Sequence, residues 1–318
     1  MDTCPPALAA SAPTVVSGWC PLPALGVIAA VGPEAANFLH NQLTQDLVLL
    51  RDDEARFTAY CTAKGRMLAS FWCWRAGPDR ILLVCARDVL PMMVRRLSMF
   101  VLRAKVKLRD ASDEWACRGV LGTAISTVAG ATPDVARLAA VGQGYLVGLH
   151  PAGPGAGAQA RALWLVPAEQ SAPELPEVSA EQWDWVTVTS GVAPVGLALS
   201  EVFVPQMLNY ESVGAVNFKK GCYPGQEVVA RSQYRGAIKR RAMLAHSDQA
   251  LAVAQEIFAS VQPDQPVGQV AAVAPHPLGG WDAIVSVQTS HAGEMLHVGS
   301  AAGAPIVLGA VPYPLADI

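Results

Sequence analysis

The chain has 318 residues, 52% of them hydrophobic and 15% charged, with a formal net charge of −3. That length supports two or three domains with sizeable cores, and that composition excludes a disordered chain. The slightly acidic balance excludes nucleic-acid binding over the whole surface and leaves room only for a local basic patch. Residues 1–20 are rich in Ala, Pro, Ser and Thr and lack a basic stretch followed by an apolar core. They predict a flexible N-terminus rather than a secretory signal. No run of about eighteen apolar residues occurs, so the expectation is a cytoplasmic protein with no membrane partner. The seven cysteines, Cys4, Cys20, Cys61, Cys73, Cys85, Cys117 and Cys222, are odd in number and lack metal-ligand spacing. This predicts a reducing compartment, no disulfide framework and no permanent metal site.

In chain order, Leu25–Val31 reads as a buried strand closed by Gly32-Pro33, and Pro33 suits the first position of a helix carrying Phe38, Leu39 and Leu43. A compact polar segment follows from Asn41 to Asp46. Arg56–Tyr60 and Met67–Trp74 read as strands joined through Cys61-Thr62-Ala63 and a Lys64-Gly65-Arg66 hairpin turn. Ile81–Ala86 is a further strand. Arg87–Leu102 is a helix with Met92, Val94, Leu97 and Val101 as apolar positions, and Arg95, Arg96, Arg103, Lys105 and Lys107 form a basic face beside it. Val106–Leu108, Ala116–Leu121, Tyr145–Leu149 and Ala162–Val166 read as strands, and Gln182–Ser190 as a helix with Trp183 and Val186 inward. Beyond Arg241, short alternating Val/Ala segments at Val267–Val273, Trp281–Val287, Leu296–Ser300 and Ile306–Val311 predict a small β-barrel or sandwich.

The chemistry concentrates at Lys219-Lys220-Gly221-Cys222-Tyr223-Pro224-Gly225-Gln226-Glu227. Pro224-Gly225 suits the centre of a type II turn, and Gln226–Tyr234 then reads as a helix with Val228 and Val229 on its apolar side. Residues 219–241 carry a net +6, including Arg231, Arg235, Arg240 and Arg241, which leaves −9 for the remainder. A thiol ahead of a helix N-terminus, among cations, is in surroundings that favour a thiolate, so Cys222 is the candidate reactive group. Cys61, Cys73 and Cys85 alternate within apolar strands and are expected to be inert.

The run Lys220-Gly221-Cys222-Tyr223-x-Gly225-Gln226-Glu227 resembles the signature of the YgfZ family, folate-binding proteins related to the glycine cleavage T-protein. Phe38-Leu39-x-x-Gln42-Leu43-Thr44-x-Asp46, Lys64-Gly65-Arg66 and Pro205-Gln206-x-x-Asn209 are similar to further family segments, and the resemblance spans roughly residues 22–318. It implies an α+β fold of T-protein-like modules around a central folate cavity, with a C-terminal β-barrel. The division expected is a folate-binding part over 21–237, contiguous or with about 52–112 inserted, and a barrel over 238–318. The implied ligand is tetrahydrofolate or a derivative, lined by Gln42, Thr44, Asp46, Thr62, Lys64, Arg66, Gln206 and Asn209. The implied function is an accessory protein that supports assembly, repair or maintenance of iron–sulfur enzymes, including tRNA-modifying ones, with those enzymes as partners.

Two alternatives stand beside it. One is a folate-dependent aminomethyltransferase of the T-protein type. Against it, the paired aspartates of those enzymes align with Leu68 and Ala69 here, and Thr189-Ser190-Gly191 replaces an expected Glu-Ala-Gly. The other is an RNA-binding adaptor acting through the basic faces. Cys222 is left open as a nucleophile, a redox thiol or a transient cluster contact.

Overall fold

The computed structural model describes residues 16–234 and 238–316; Cys4 and Arg235 lie outside the described residues. Two five-stranded antiparallel sheets and a closed six-stranded barrel make up the fold. The first sheet holds β2 (Leu25–Val31), β3 (Ala55–Cys61), β4 (Met67–Arg75), β5 (Arg80–Ala86) and β6 (Lys107–Asp110), in the order β3-β4-β5-β2-β6. The second holds β1 (Gly18–Pro21), β7 (Trp115–Leu121), β8 (Leu138–Val141), β9 (Gly144–Gly148) and β10 (Arg161–Pro167), in the order β1-β7-β10-β9-β8. Strand order therefore extends into the segment expected to be flexible. The first sheet also starts at Leu25 rather than near residue 52, because β2 is needed between β5 and β6.

Period-2 alternation explains the layering. Along β2, Val27 and Ala29 face a core shared with Leu163 and Leu165 of the second sheet, while Ile28 and Ala30 face the opposite way. There they meet Phe38 and Leu39 of α1 (Ala35–His40) and Leu90, Met93 and Leu97 of α2 (Leu90–Met99). Both helices start later than expected. Pro33 precedes α1 because Gly32 turns at φ +142° against Lys105, and α2 buries Met93 with Met92 at its margin. The outer face of the second sheet is covered by α3 (Ala124–Ala129). A capping box between Ser179 and Gln182 starts α4 (Ala180–Thr189), and Trp183 and Val186 fill the core between the sheets.

The barrel consists of β11 (Arg240–Ser247), β12 (Glu256–Ala259), β13 (Gly268–Pro275), β14 (Trp281–Gln288), β15 (Leu296–Val298) and β16 (Ala304–Gly309). It docks through Ala242, Ala271, Ala274 and Ile284 onto Phe57, Ala59, Cys61 and Met67 of the first sheet and onto the 188–216 connection. Among the described residues no helix is long and apolar enough to cross a membrane.

Candidate functional site

The signature segment folds as its residue types dictate. Gly225 takes φ +80° and the Gln226 amide donates to Tyr223 O at 3.2 Å, which closes the expected turn and starts α5 (Gln226–Tyr234). A Cβ at Gly225 would stand 2.3 Å from Thr62 O and 2.7 Å from the Gly65 backbone. The Lys64-Gly65-Arg66 hairpin therefore packs backbone to backbone against this turn, with Gly65 at φ +72° beneath Val228.

A second set of bonds ties the signature to the loop after α1. Thr44 Oγ1 donates to Ala215 O at 2.7 Å, Gln45 Nε2 to Gly214 O at 2.5 Å, and the Asn217 amide to Thr44 O at 2.9 Å. Lys220 Nζ donates to Leu43 O at 2.7 Å and to His40 O, satisfying carbonyls at the end of α1. Burial pushes the Lys220 ammonium down to about 8, opposed by Asp46 and Cys222 nearby. Its Nζ also lies 5.0 Å from the Tyr223 ring centre. Tyr223 is buried, with its hydroxyl unpartnered among the described residues.

Cys222 is exposed, whereas Cys20, Cys61, Cys73, Cys85 and Cys117 are buried. Burial raises the buried thiols, to about 11 for Cys20 and about 12 for Cys61 and Cys117. The cationic surround of Cys222 is thinner than the charge count suggests. Arg231 pairs with Glu227 at 2.6 Å, and Arg241 is a buried partner of Glu211. Arg240 and Arg241 belong to the first barrel strand rather than to a basic loop.

A cleft of about 330 Å³ opens where the two sheets meet the 213–217 loop. Phe57 and Trp72, cross-strand neighbours on β3 and β4 with ring centres 5.1 Å apart and planes 31° apart, form an apolar wall. Asp46, Arg56, His150 and Asn217 supply polar groups around it. Burial raises the Asp46 carboxyl, but the Leu49 amide, His40 and the Val48 amide outweigh it and hold it below the usual range. Those bonds converge on Oδ1 and leave Oδ2 without a protein partner among the described residues. Burial and the adjacent Arg161 lower His150 to about 4, against a bond to the Val213 backbone, so it is a neutral imidazole near pH 7.

Of the eight residues expected to line a folate cavity, Asp46 lines this cleft. Thr44 is fully buried and bonded to Ala215 and Thr58. Gln206 donates to Val229 O at 2.8 Å, and Asn209 holds both backbone groups of Ala242. Thr62, Lys64 and Arg66 sit in the hairpin, where Arg66 bonds Val202 O. Gln42 is half-buried with an unpartnered Oε1. Phe57, Trp72, His150 and Asn217 come from four separate segments and were not singled out in sequence. The one available signal was that Phe57 and Trp72 are equidistant from the Lys64–Gly65 turn and so pair across the hairpin. No cluster of three or more His, Cys, Asp or Glu able to hold a metal ion occurs among the described residues.

Two five-stranded sheets with a closed barrel docked beside them define the class, the aminomethyltransferase T fold. The crystal structure of glycine cleavage system aminomethyltransferase T from Bartonella henselae superposes with a TM-score of 0.71, covering 95% of this chain and 87% of that one at 14% identity. No family model matches the chain. The tRNA-modifying protein YgfZ of Photorhabdus laumondii subsp. laumondii is 33% identical over 227 residues, 68% of this chain and 66% of the relative. Its namesake from Pectobacterium carotovorum subsp. carotovorum is 29% identical over 247 residues, 74% of this chain and 71% of the relative. The chain belongs to the YgfZ family; the matched stretches span about two thirds of these relatives' length.

Proposed function

We propose that the chain is a cytoplasmic, tetrahydrofolate-binding accessory protein that supports iron–sulfur enzymes, tRNA-modifying ones among them, with Cys222 as its reactive thiol. The observation that carries the reading is Asp46, which lines the cleft and is bonded to His40 beside the Cys222 segment. The donor set fits a reduced folate. Phe57 and Trp72 offer a face for stacking, Asp46 Oδ2 can accept from a pterin ring N–H, and Asn217 and neutral His150 supply further donors and acceptors. Arg56, paired with Glu54 at 2.7 Å, lines the cleft and is the cation there that could hold a glutamate tail's carboxylate. At about 330 Å³ the cleft is at the small end of ligand sites, which suits a bound ring system with a solvated tail. When bound, the folate would supply one-carbon carrier chemistry.

The aminomethyltransferase alternative lacks its acid: Leu68 and Ala69 are buried apolar core, 1% and 0% exposed, and point no carboxylate at the cleft. Exposed Arg95, Arg103, Lys105 and Lys107 leave a basic face for an RNA contact, separate from the cleft. The test is complementation. In cells deleted for the chain, wild-type protein is expected to restore an iron–sulfur-dependent tRNA modification measured by mass spectrometry, and a folded Cys222→Ser protein is expected not to. Full restoration by Cys222→Ser would remove the thiol from the function.

A further inference from the structure

His40 ends α1, is bonded to the cleft residue Asp46 and approaches Gly221 of the signature segment. Its Nδ1 faces Asp46 Oδ1 at 3.1 Å, and a Cβ built on Gly221 would stand 3.4 Å from its Nε2. An ionised carboxylate on Nδ1 places the ring proton there and leaves Nε2 as the acceptor. Nε2 makes no protein hydrogen bond among the described residues, and it is directed at the residue that precedes Cys222. A side chain at 221 would stand in van der Waals contact with the ring, and glycine leaves that space open.

We propose that His40 Nε2 is the proton acceptor for the Cys222 thiol, with Asp46 as the positioning residue that fixes the ring and stabilises the imidazolium. In the step, the S–H bond breaks, an N–H bond forms on Nε2, and the electron pair stays on sulfur. The charged groups around the ring are Asp46 on its own loop and Lys220 and Cys222 on the facing segment. Lys220 is the rival base, but its Nζ is buried as a donor to His40 O and Leu43 O and presents no lone pair to the thiol. Asp46 therefore links cleft and thiol: a ligand that engages its Oδ2 alters the group that orients His40. The inference rests on the reading of Cys222 as the reactive thiol.

The test is the rate of Cys222 carboxamidomethylation by iodoacetamide from pH 5.5 to 9.5, followed on the full chain by peptide mass spectrometry. The S–C bond formed displaces iodide, so the rate reports thiolate supply. His40→Gln keeps an N–H for Asp46 but has no basic nitrogen, and is expected to slow labelling at pH 7 about tenfold while leaving the rate above pH 9 unchanged. Asp46→Asn still accepts from the Val48 and Leu49 amides and is expected to fall between the two. A His40→Gln profile that overlays wild type overturns the proposal and leaves the reactive-thiol reading standing. A wild-type Cys222 that stays unlabelled while a buried cysteine reacts overturns both. If His40→Gln does not fold, as judged by circular dichroism, the Asp46→Asn profile decides: overlay with wild type overturns the proposal.

Discussion

Replacing Asn209 separates a structural from a ligand-binding role for the Pro205–Asn209 segment. Asn209 is 0% exposed and sits at φ +57°, a left-handed conformation that asparagine tolerates better than most side chains. Its Nδ2 donates to Ala242 O at 2.9 Å and its Oδ1 accepts from Ala242 N at 3.2 Å, so one side chain stands in for a backbone partner of β11. Asn209→Ala leaves a buried donor and a buried acceptor unpaired, at about 1–3 kcal/mol for each, and adds roughly 1 kcal/mol of backbone strain. The expected loss is about 4 kcal/mol, a large part of a typical domain's stability. Asn209→Gly removes the strain but not the unpaired groups and should lose about 3 kcal/mol. Urea denaturation followed by tryptophan fluorescence measures both. Folded Asn209→Gly protein should bind tetrahydrofolate as wild type does. Losses below about 1 kcal/mol, or intact stability with abolished folate binding, would instead return Asn209 to the ligand.

Three further outcomes follow from single observations. His150 titrates near 4 in the fold and near 6.5 when unfolded, so the unfolded chain binds the extra proton between those values. Stability should therefore fall as pH drops from 6.5 to 4, by up to about 3 kcal/mol, and His150→Gln should flatten that slope in thermal melts. Gly225→Ala places a Cβ 2.3 Å from Thr62 O at φ +80°, so it should lower the melting midpoint and loosen the hairpin against α5, visible as faster amide exchange at Gly65. In native protein, iodoacetamide should label Cys222 before Cys61, Cys73, Cys85 or Cys117, which are buried; a strand cysteine labelling first would remove that order.

Much of the fold was legible because local chemistry decided it. Pro224-Gly225 set the start of α5, apolar runs marked β2, β4 and β5, and alternating Val/Ala segments marked the later barrel strands. The short strands β1, β8 and β12, four residues each, were missed because their order comes from partners distant in sequence, as Trp19 opposite Val120 shows. Arg240 and Arg241 read as part of a charged loop because sequence does not show that Glu211 is waiting for one of them. The site was harder still. Thr44 and Asn209 have the hydrogen-bonding capacity of ligand groups but spend it inside the fold, largely on backbone, and Gln206 gives its amide N–H to Val229 O while its Oε1 has no partner among the described residues. His40 carries no pattern of its own; its place against Gly221 is set by Lys220 on the α1 carbonyls.

The proposed function depends on reduced folate occupying the cleft walled by Phe57 and Trp72. Anaerobic isothermal titration of tetrahydrofolate into wild-type and Arg56→Ala protein tests it most directly. One site per chain is expected in wild type, with about tenfold weaker binding in Arg56→Ala, as loss of one charge-assisted contact to the tail requires. No heat at millimolar tetrahydrofolate, or equal affinity in both proteins and in a Trp72→Ala control, would contradict it.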